Sequence, residues 1–167
     1  MATGTQSLNT LLQRATIDDH EEILKACNAS LKQSKKDPKT LHTKAVALLK
    51  LDRYDDALRV LEEGGEDLKS GASLERSYAL YKNGQLSEAK DIAQGISDDR
   101  GARHVEAQAS YRLEDFERSA RLYRDLAKTH APIDNEENDV KINAGAADAQ
   151  LEWTRQEHLR PEKKTYA

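Results

Sequence analysis

The sequence predicts an all-α fold in which antiparallel helix pairs stack into a helical-hairpin solenoid. Aromatic residues make up only 5% of the 167-residue chain, whereas charged residues make up 34%. This mixture is typical of helices with wide solvated faces and unusual for a β-sandwich. An internal repeat is the more specific observation, because self-similarity at a fixed period is the signature of repeat architectures. The hydrophobic content of 37% is sufficient for a folded core.

Three segments align with one another without a gap, over residues 44–57, 76–89 and 106–119. Each has a small residue, an Ala two places later, a basic residue, a polar turn, a bulky apolar residue and a last small residue. The three small positions are occupied by Ala45, Ala47 and Ala57, then Ser77, Ala79 and Ala89, then Ala107, Ala109 and Ser119. Small residues on both helices allow an antiparallel pair to approach closely. Each segment is therefore predicted to be a helix–turn–helix unit.

The helices are predicted in order from the breakers that separate these units. A weakly patterned first helix is predicted over 6–15. The next, over 19–34, begins with a diverged copy of the second-helix start and ends before Asp37-Pro38. The first aligned copy predicts helices over 39–51 and 54–69, and the Gly64-Gly65 pair loosens the end of the latter.

The second copy, which Gly71 opens, predicts helices over 72–83 and 86–95, and the third predicts helices over 102–113 and 116–130. An acidic loop over 131–137 then leads to a helix over 138–157 that has no sequence partner. The end of a solenoid needs a capping helix or a neighbouring repeat. This helix is therefore expected either to cap the stack or to pack against a further repeat. We therefore predict about four repeats plus a terminal helix over 6–157, followed by a frayed charged tail over 158–167.

Charge and cysteine usage narrow the classes of function. The formal net charge of −4 disfavours contact with a nucleic-acid backbone, which requires an excess of cations. Cys27 is the single cysteine, and the first residues lack the basic start and apolar block of a secretory signal. No apolar run approaches the ~18 residues needed to cross a bilayer. We expect a cytoplasmic protein with no direct nucleic-acid contact and no membrane insertion.

No set of residues indicates catalysis, a metal site or a cofactor. The five histidines are scattered without ligand spacing, and one cysteine cannot complete a zinc set. Cys27 lies on the inner side of a predicted helix, where a buried inert thiol is the usual finding. Paired carboxylates such as Asp98-Asp99 are typical of helix starts and solvated faces. The sequence therefore predicts neither an enzyme nor a cofactor.

The first helix of each repeat is predicted to line a concave, partner-binding face. Tyrosine offers a large contact area with few rotors to freeze, and a basic residue can bond a partner's carboxylates. An apolar, partly acidic peptide would suit such a face. The alternative stays open that these tyrosines pack between repeats and the basic residues meet helix dipoles. The residues at equivalent positions are His42, Val46, Leu49 and Lys50, then Leu74, Tyr78, Tyr81 and Lys82, then His104, Gln108, Tyr111 and Arg112.

The aligned pattern resembles the tetratricopeptide repeat, which has a small residue on each helix and an aromatic at the start of the second. Residues 49–64, 78–84, 104–116 and 148–153 further resemble the amino-terminal domains of the seventy-two-kilodalton subunits of the signal recognition particle, in a fungal-like style. This resemblance covers roughly residues 8–153. It implies a domain that binds the carboxyl-terminal region of the sixty-eight-kilodalton subunit and supports co-translational targeting to the endoplasmic reticulum.

The repeat pattern also allows a generic co-chaperone or adaptor that binds a short acidic peptide. In tetratricopeptide co-chaperones, Lys and Asn on the first helix of the first repeat hold the carboxylates of an acidic tail. The matching positions in this sequence are Leu8 and Leu12. This departure argues against a carboxylate clamp for chaperone tails.

Overall fold

The computed structural model describes residues 17–129 and 136–157, and every regular element in these ranges is an α-helix. The all-α prediction is confirmed. The helix predicted over 6–15, with Leu8 and Leu12, and the tail over 158–167 lie outside the described residues. In order, the helices are α1 (Ile17–Gln33), α2 (Pro38–Lys50), α3 (Tyr54–Glu63), α4 (Gly65–Gly71), α5 (Ser73–Lys82), α6 (Leu86–Gln94), α7 (Arg100–Arg112), α8 (Phe116–Ala127) and α9 (Glu136–Glu157).

The chain divides into two compact units, the first ending at Ser97 and the second beginning at Asp98. In the first unit α1 packs on α2, α2 pairs with α3, and α5 pairs with α6, while α3 also contacts α5. In the second unit α7 pairs with α8, and α9 packs on α8. The two helices of each aligned segment therefore pair with each other, as the repeat predicts.

The small positions of the repeat are fully buried in all three hairpins. Their relative exposure is 0% at Ala45, Ala47, Ala57, Ser77, Ala79, Ala89, Ala107, Ala109 and Ser119. Where the third hairpin has Ser119 in place of alanine, the side-chain hydroxyl donates to the Ala107 carbonyl oxygen at 3.0 Å. A buried hydroxyl needs such a partner. The close approach of the paired helices thus follows directly from the repeat.

The three hairpin turns share one backbone geometry. The second residue after the first helix has a positive φ in each: 56° at Asp52, 81° at Gly84 and 63° at Glu114. In the third turn the Asp115 N–H donates to the Ser110 carbonyl oxygen at 2.9 Å and the Glu114 N–H to Tyr111 at 3.0 Å. The same two bonds close the other two turns, which is the Schellman pattern that ends many helices.

The prediction of one continuous helix over 54–69 is wrong. Helix α3 ends at Glu63, and a separate short helix, α4, begins at Gly65, whose φ is +77°. A Cβ on Gly64 would lie 2.8 Å from the Leu68 Cβ, so only glycine lets the chain turn this tightly over that side chain. Leu68 then lies buried in the core of the first unit.

Each unit has its own core. In the first, Leu41, Leu48 and Leu61 pack with α1, and the expected burial of Cys27 is confirmed by its exposure of 0%. In the second, Tyr123 and Leu126 of α8 pack against α9. The residues of α9 that enter this core are Val140 and Ala147.

Candidate protein-binding surface

In the first unit the predicted surface residues lie on α2 and α5, two helices that contact each other. None of these side chains is fully buried, and Lys50 and Lys82 are exposed at the ends of their helices. Tyr78 is 37% exposed, which is high for a large aromatic residue. The half-buried positions are His42, Val46, Leu49, Leu74 and Tyr81.

Tyr78 and Lys82 form a cluster with Tyr54, a residue that the surface prediction missed. The Tyr54 and Tyr78 rings meet edge to face, with centroids 6.2 Å apart. The Lys82 Nζ lies 5.4 Å from the Tyr54 ring centroid and 5.9 Å from that of Tyr78. Such distances allow cation–π attraction. We call these three residues the tyrosine–lysine cluster.

Bonding within the cluster favours the charged form of its lysine. The hydrogen bond with the Tyr54 phenol is the main reason that the pKa of Lys82 is raised. Burial, followed by a hydrogen bond with Asp52, raises the pKa of the Tyr54 phenol. A neighbouring bond, from Asn83 Nδ2 to Asp55 at 2.6 Å, joins the end of α5 to the start of α3. In this cluster the ammonium group of Lys82, at the end of α5, lies near the rings of Tyr54, at the start of α3, and Tyr78.

The sequence did carry a signal for Tyr54. Alignment assigned it to the bulky position that fills the wedge beside each hairpin turn, and the residues there do begin the second helices: Tyr54 in α3, Leu86 in α6 and Phe116 in α8. Tyr54 is the one tyrosine among the three. Its phenol gives that ring a polar edge that leucine and phenylalanine lack.

His42 forms a hydrogen bond with another residue of the first unit. Its Nε2 lies 3.0 Å from Glu75 Oε1, which links α2 to α5. This hydrogen bond raises the pKa of His42 and lowers that of Glu75. The His42 side chain is still 42% exposed. It therefore holds the two helices together while it remains open to solvent.

In the second unit two of the four predicted residues, His104 and Gln108, line a cleft between α7 and the start of α9. His104 Nε2 lies 2.7 Å from Glu136 Oε1, and Arg100 Nε donates to the same oxygen at 2.5 Å. Burial raises the pKa of Glu136, but the bonds from His104 and Arg100 outweigh burial and leave that pKa lowered. The cleft has a volume of about 470 Å³, and its lining also includes Gln108, Ile142 and Asn143. Ile142, which was not among the predicted surface residues, is 60% exposed.

The other two predicted residues of α7 differ from each other. Tyr111 is half-buried, and its ring meets that of Phe116 edge to face at a centroid distance of 5.4 Å. It therefore contributes to the packing of its own hairpin. Arg112 is exposed at the end of α7.

Metal-binding groups and membrane-spanning helices are both absent from the part of the chain that the structure describes. Across residues 17–129 and 136–157, no three His, Cys, Asp or Glu side chains are grouped so that they could hold a metal ion. No helix in the same ranges combines the length and apolar character that a membrane span requires.

Comparison with known proteins identifies the repeat. The family model of an SRP TPR-like repeat matches residues 16–150. The chain belongs to this family. The resemblance inferred from the sequence, a TPR-like domain similar to signal recognition particle subunits, is thereby confirmed.

Three relatives of this TPR-like chain illustrate the match. Signal recognition particle subunit SRP72 of Caenorhabditis elegans is 26% identical over 148 residues, which are 88% of this chain and 23% of the relative. The human SRP72 is 28% identical over 137 residues, 81% of this chain and 20% of the relative. The fungal srp72 of Schizosaccharomyces pombe is 29% identical over 112 residues, 66% of this chain and 18% of the relative. The chain thus spans about a fifth of the length of these relatives.

Proposed function

We propose that this chain is a protein-binding scaffold of the signal recognition particle that holds the carboxyl-terminal region of the sixty-eight-kilodalton subunit. By joining that subunit to the particle, the scaffold supports co-translational targeting to the endoplasmic reticulum. Its work is done in the cytoplasm through a protein surface, without catalysis, membrane insertion or direct nucleic-acid contact by this segment. Support comes from the relatives, which are signal recognition particle subunits, and from the unburied side chains of α2 and α5.

The tyrosine–lysine cluster is the observation that carries this proposal. Tyr78 of α5 keeps 37% of its surface exposed although its ring contacts that of Tyr54 on α3. Tyrosines with restricted rotors lose little entropy on binding, and they are enriched among residues that dominate binding energy. The contact with Lys82 holds both rings in place before a partner arrives. A preordered surface of this kind reduces the entropic cost of association.

The surroundings of the cluster define the chemistry of the partner. Val46, Leu49 and Leu74 are half-buried apolar residues on the same two helices, so they offer hydrophobic contacts. Lys50 and Lys82 are exposed cations at the helix ends. Cations at the rim of an apolar patch favour partners with carboxylates, mainly through the rate of association. The matching partner is a segment with apolar side chains and some acidic residues.

The second unit offers a more polar contact. In its cleft Gln108 and Asn143 present side-chain amides, which can donate to and accept from a peptide backbone. Ile142 supplies an exposed apolar group in the same cleft. Arg112 adds an exposed cation at the end of α7. We propose that these residues bind a polar part of the same partner.

Titration calorimetry against a carboxyl-terminal fragment of the sixty-eight-kilodalton subunit tests this function. We expect tight binding by the wild-type chain and a loss of about 1–3 kcal/mol with Tyr78→Ala, the range of interface hot spots. Leu113→Ala is the matched control, since Leu113 is also 37% exposed but belongs to the second unit and is not part of the tyrosine–lysine cluster. Circular dichroism should show both variants folded.

The possible results separate three conclusions. If Tyr78→Ala binds as tightly as the wild type, the cluster is not the binding surface, although the identity of the partner is still supported. If the fragment does not bind at all, the proposed partner is wrong. Competition by a short acidic peptide with a free carboxyl terminus would instead favour a generic adaptor of acidic tails.

A further inference from the structure

Ion pairs at matched positions join the two helices of the second and third aligned hairpins, but with opposite polarity. Arg76 of α5 donates through Nη2 to Glu88 Oε1 of α6 at 2.6 Å. In the next hairpin Glu106 of α7 accepts from Arg118 Nε of α8 at 2.5 Å. The alignment that matches residue 76 with 106 also matches 88 with 118, because both differ by 30 positions (106 − 76 and 118 − 88). The cation is therefore on the first helix in one hairpin and on the second helix in the other.

These pairs lie beside the tightest contact in each hairpin. Each charged residue directly precedes a small residue of 0% exposure: Ser77 and Ala89 in the first of these hairpins, Ala107 and Ser119 in the other. The Glu106 side chain is only 7% exposed, and it forms its ion pair with Arg118 at this poorly solvated site. The Arg76 and Glu88 side chains are 27% and 46% exposed. At Glu106 a charge opposed by a like charge could not simply turn away into solvent, whereas the other three side chains are more exposed.

Shape alone does not distinguish the two hairpins at this point. Both combine two small residues on the first helix with one on the second, and both use the same Schellman turn. If α5 paired with α8, the small residues would still match, but Arg76 would face Arg118. If α7 paired with α6, Glu106 would face Glu88. Each exchange thus creates a like-charge contact beside a buried helix crossing.

The first aligned hairpin does not use this pair. Lys44 and Asp56 occupy the same positions, yet Asp56 accepts from Arg53 Nη2 at 2.6 Å and is also paired with Arg59. The reversal of polarity therefore distinguishes the α5–α6 hairpin of the first unit from the α7–α8 hairpin of the second unit.

We propose that the reversed ion pair is a pairing code that assigns α6 to α5 and α8 to α7, and so prevents exchange of second helices between these hairpins. The exchange it opposes requires both Schellman turns to open, and it joins helices of the same chain or of two copies. Repeat proteins are prone to such errors because their units resemble one another. Opposite charges favour the correct pair, and like charges oppose the wrong one.

Four chains with identical composition and net charge test the code. They are the wild type, E88R/R118E, R76E/E106R, and the chain with all four substitutions. Both double variants place like charges in both hairpins, whereas the fourfold variant restores both pairs with polarity reversed. We expect the thermal midpoints of both double variants to fall by about 5 °C or more, and that of the fourfold variant to return near the wild type.

Cysteine cross-linking reports exchange directly. In a Cys27→Ala background, Ser77→Cys and Ser119→Cys place one thiol on α5 and one on α8. Residue 119 faces Ala107 in the observed hairpin, but it would face residue 77 after exchange. After unfolding and oxidative refolding, we expect a 77–119 disulfide to be enriched in E88R/R118E and scarce in the wild-type and fourfold charge backgrounds.

The outcomes decide the proposal even if a double variant fails to fold. A fourfold variant that folds and melts near the wild type while the double variants are impaired supports the code. Double variants that melt within about 2 °C of the wild type, or a fourfold variant that does not recover, overturn it. Equal 77–119 cross-linking in all charge backgrounds also overturns it, because the charges would then not select the pairing.

Discussion

The first-helix regions of the two units carry the same contact in different surroundings. His42 and His104 occupy matched positions, and each bonds a glutamate from a helix further along the chain, at 3.0 Å to Glu75 and 2.7 Å to Glu136. The first pair has side-chain exposures of 42% and 26%. The second has 22% and 14%, and its glutamate also accepts from Arg100. The matched position holds histidine in two of the three copies and Leu74 in the third, while burial and neighbouring charges determine how strongly each histidine holds its partner.

The remaining residues of these regions differ more. In the first unit, aromatic and aliphatic side chains surround an exposed lysine, whereas the second unit has a cleft with amide and charged groups and one exposed isoleucine. Apolar burial dominates binding free energy in most protein associations, and polar contacts add specificity. We therefore expect the first unit to supply more of the affinity for a partner, and the second to select its register.

Core deletions should show that the two units differ in surface rather than in core. Leu61 and Leu126, with exposures of 1% and 0%, fill equivalent roles in the two cores. We expect Leu61→Ala and Leu126→Ala each to lower the free energy of unfolding by about 2–5 kcal/mol, as buried leucines do. Urea denaturation measures both effects. Leu113→Ala, at 37% exposure, should cost less than about 1 kcal/mol.

Neutralising the two glutamates tests the difference between the histidine contacts. Glu136→Gln removes a carboxylate that accepts from both His104 and Arg100 at a poorly exposed site. We expect a loss of about 1–3 kcal/mol from urea denaturation, because hydrogen bonds to charged groups are among the stronger ones. Glu75→Gln should cost less than about 1 kcal/mol, since its partner is well exposed. Equal losses would show that exposure does not govern these contacts.

Exchanging turn residues should act in opposite directions in the two units. Gly84 has a φ of 81° and Glu114 a φ of 63°, a region that glycine enters without steric cost. We expect Glu114→Gly to stabilise the protein by about 0.5–1 kcal/mol and Gly84→Ala to destabilise it by about 1 kcal/mol. The thermal midpoints of both variants measure these effects. Midpoints that shift in the same direction would contradict the prediction.

A small pH dependence should belong to the contact of the first unit. The raised pKa of His42 means that its contribution is fully present below its unfolded pKa and is lost as pH rises through the higher folded value. The lowered pKa of Glu75 means that its contribution is present above its unfolded pKa and is lost as pH falls through the lower folded value. The pair therefore stabilises the protein most between about pH 4.5 and 6.5, the two unperturbed values.

Urea midpoints of the wild type and His42→Gln measure this dependence. Because the His42 side chain is 42% exposed, we expect the wild type to lose less than about 1 kcal/mol between about pH 6 and pH 8 through this pair. His42→Gln should lack this part of the pH dependence, and Glu75→Gln should lack it too. An undiminished dependence in His42→Gln would assign it to another group.

The amino-acid sequence by itself determined the helical class, the three aligned hairpins, the buried small residues and the turns between paired helices. These features depend on residues close together in the chain, and three aligned copies reinforce each local signal. The same logic identified Tyr78 and Lys82 as surface candidates, and their role as a binding site stays a prediction.

Only the tertiary structure decided the features that join distant residues. The Gly64-Gly65 pair indicated a weak helix end, but that α3 stops at Glu63 and a separate helix brings Leu68 into the core of the first unit became clear only from the packing. His42 and His104 bond glutamates that lie 33 and 32 residues further along the chain. The aligned positions of the repeat did not indicate these glutamates as partners. Tyr54 reaches Tyr78 and Lys82 only because α3 packs against α5. Periodicity reports which side of a helix is apolar, but the identity of the residue across the gap depends on how the helices pack.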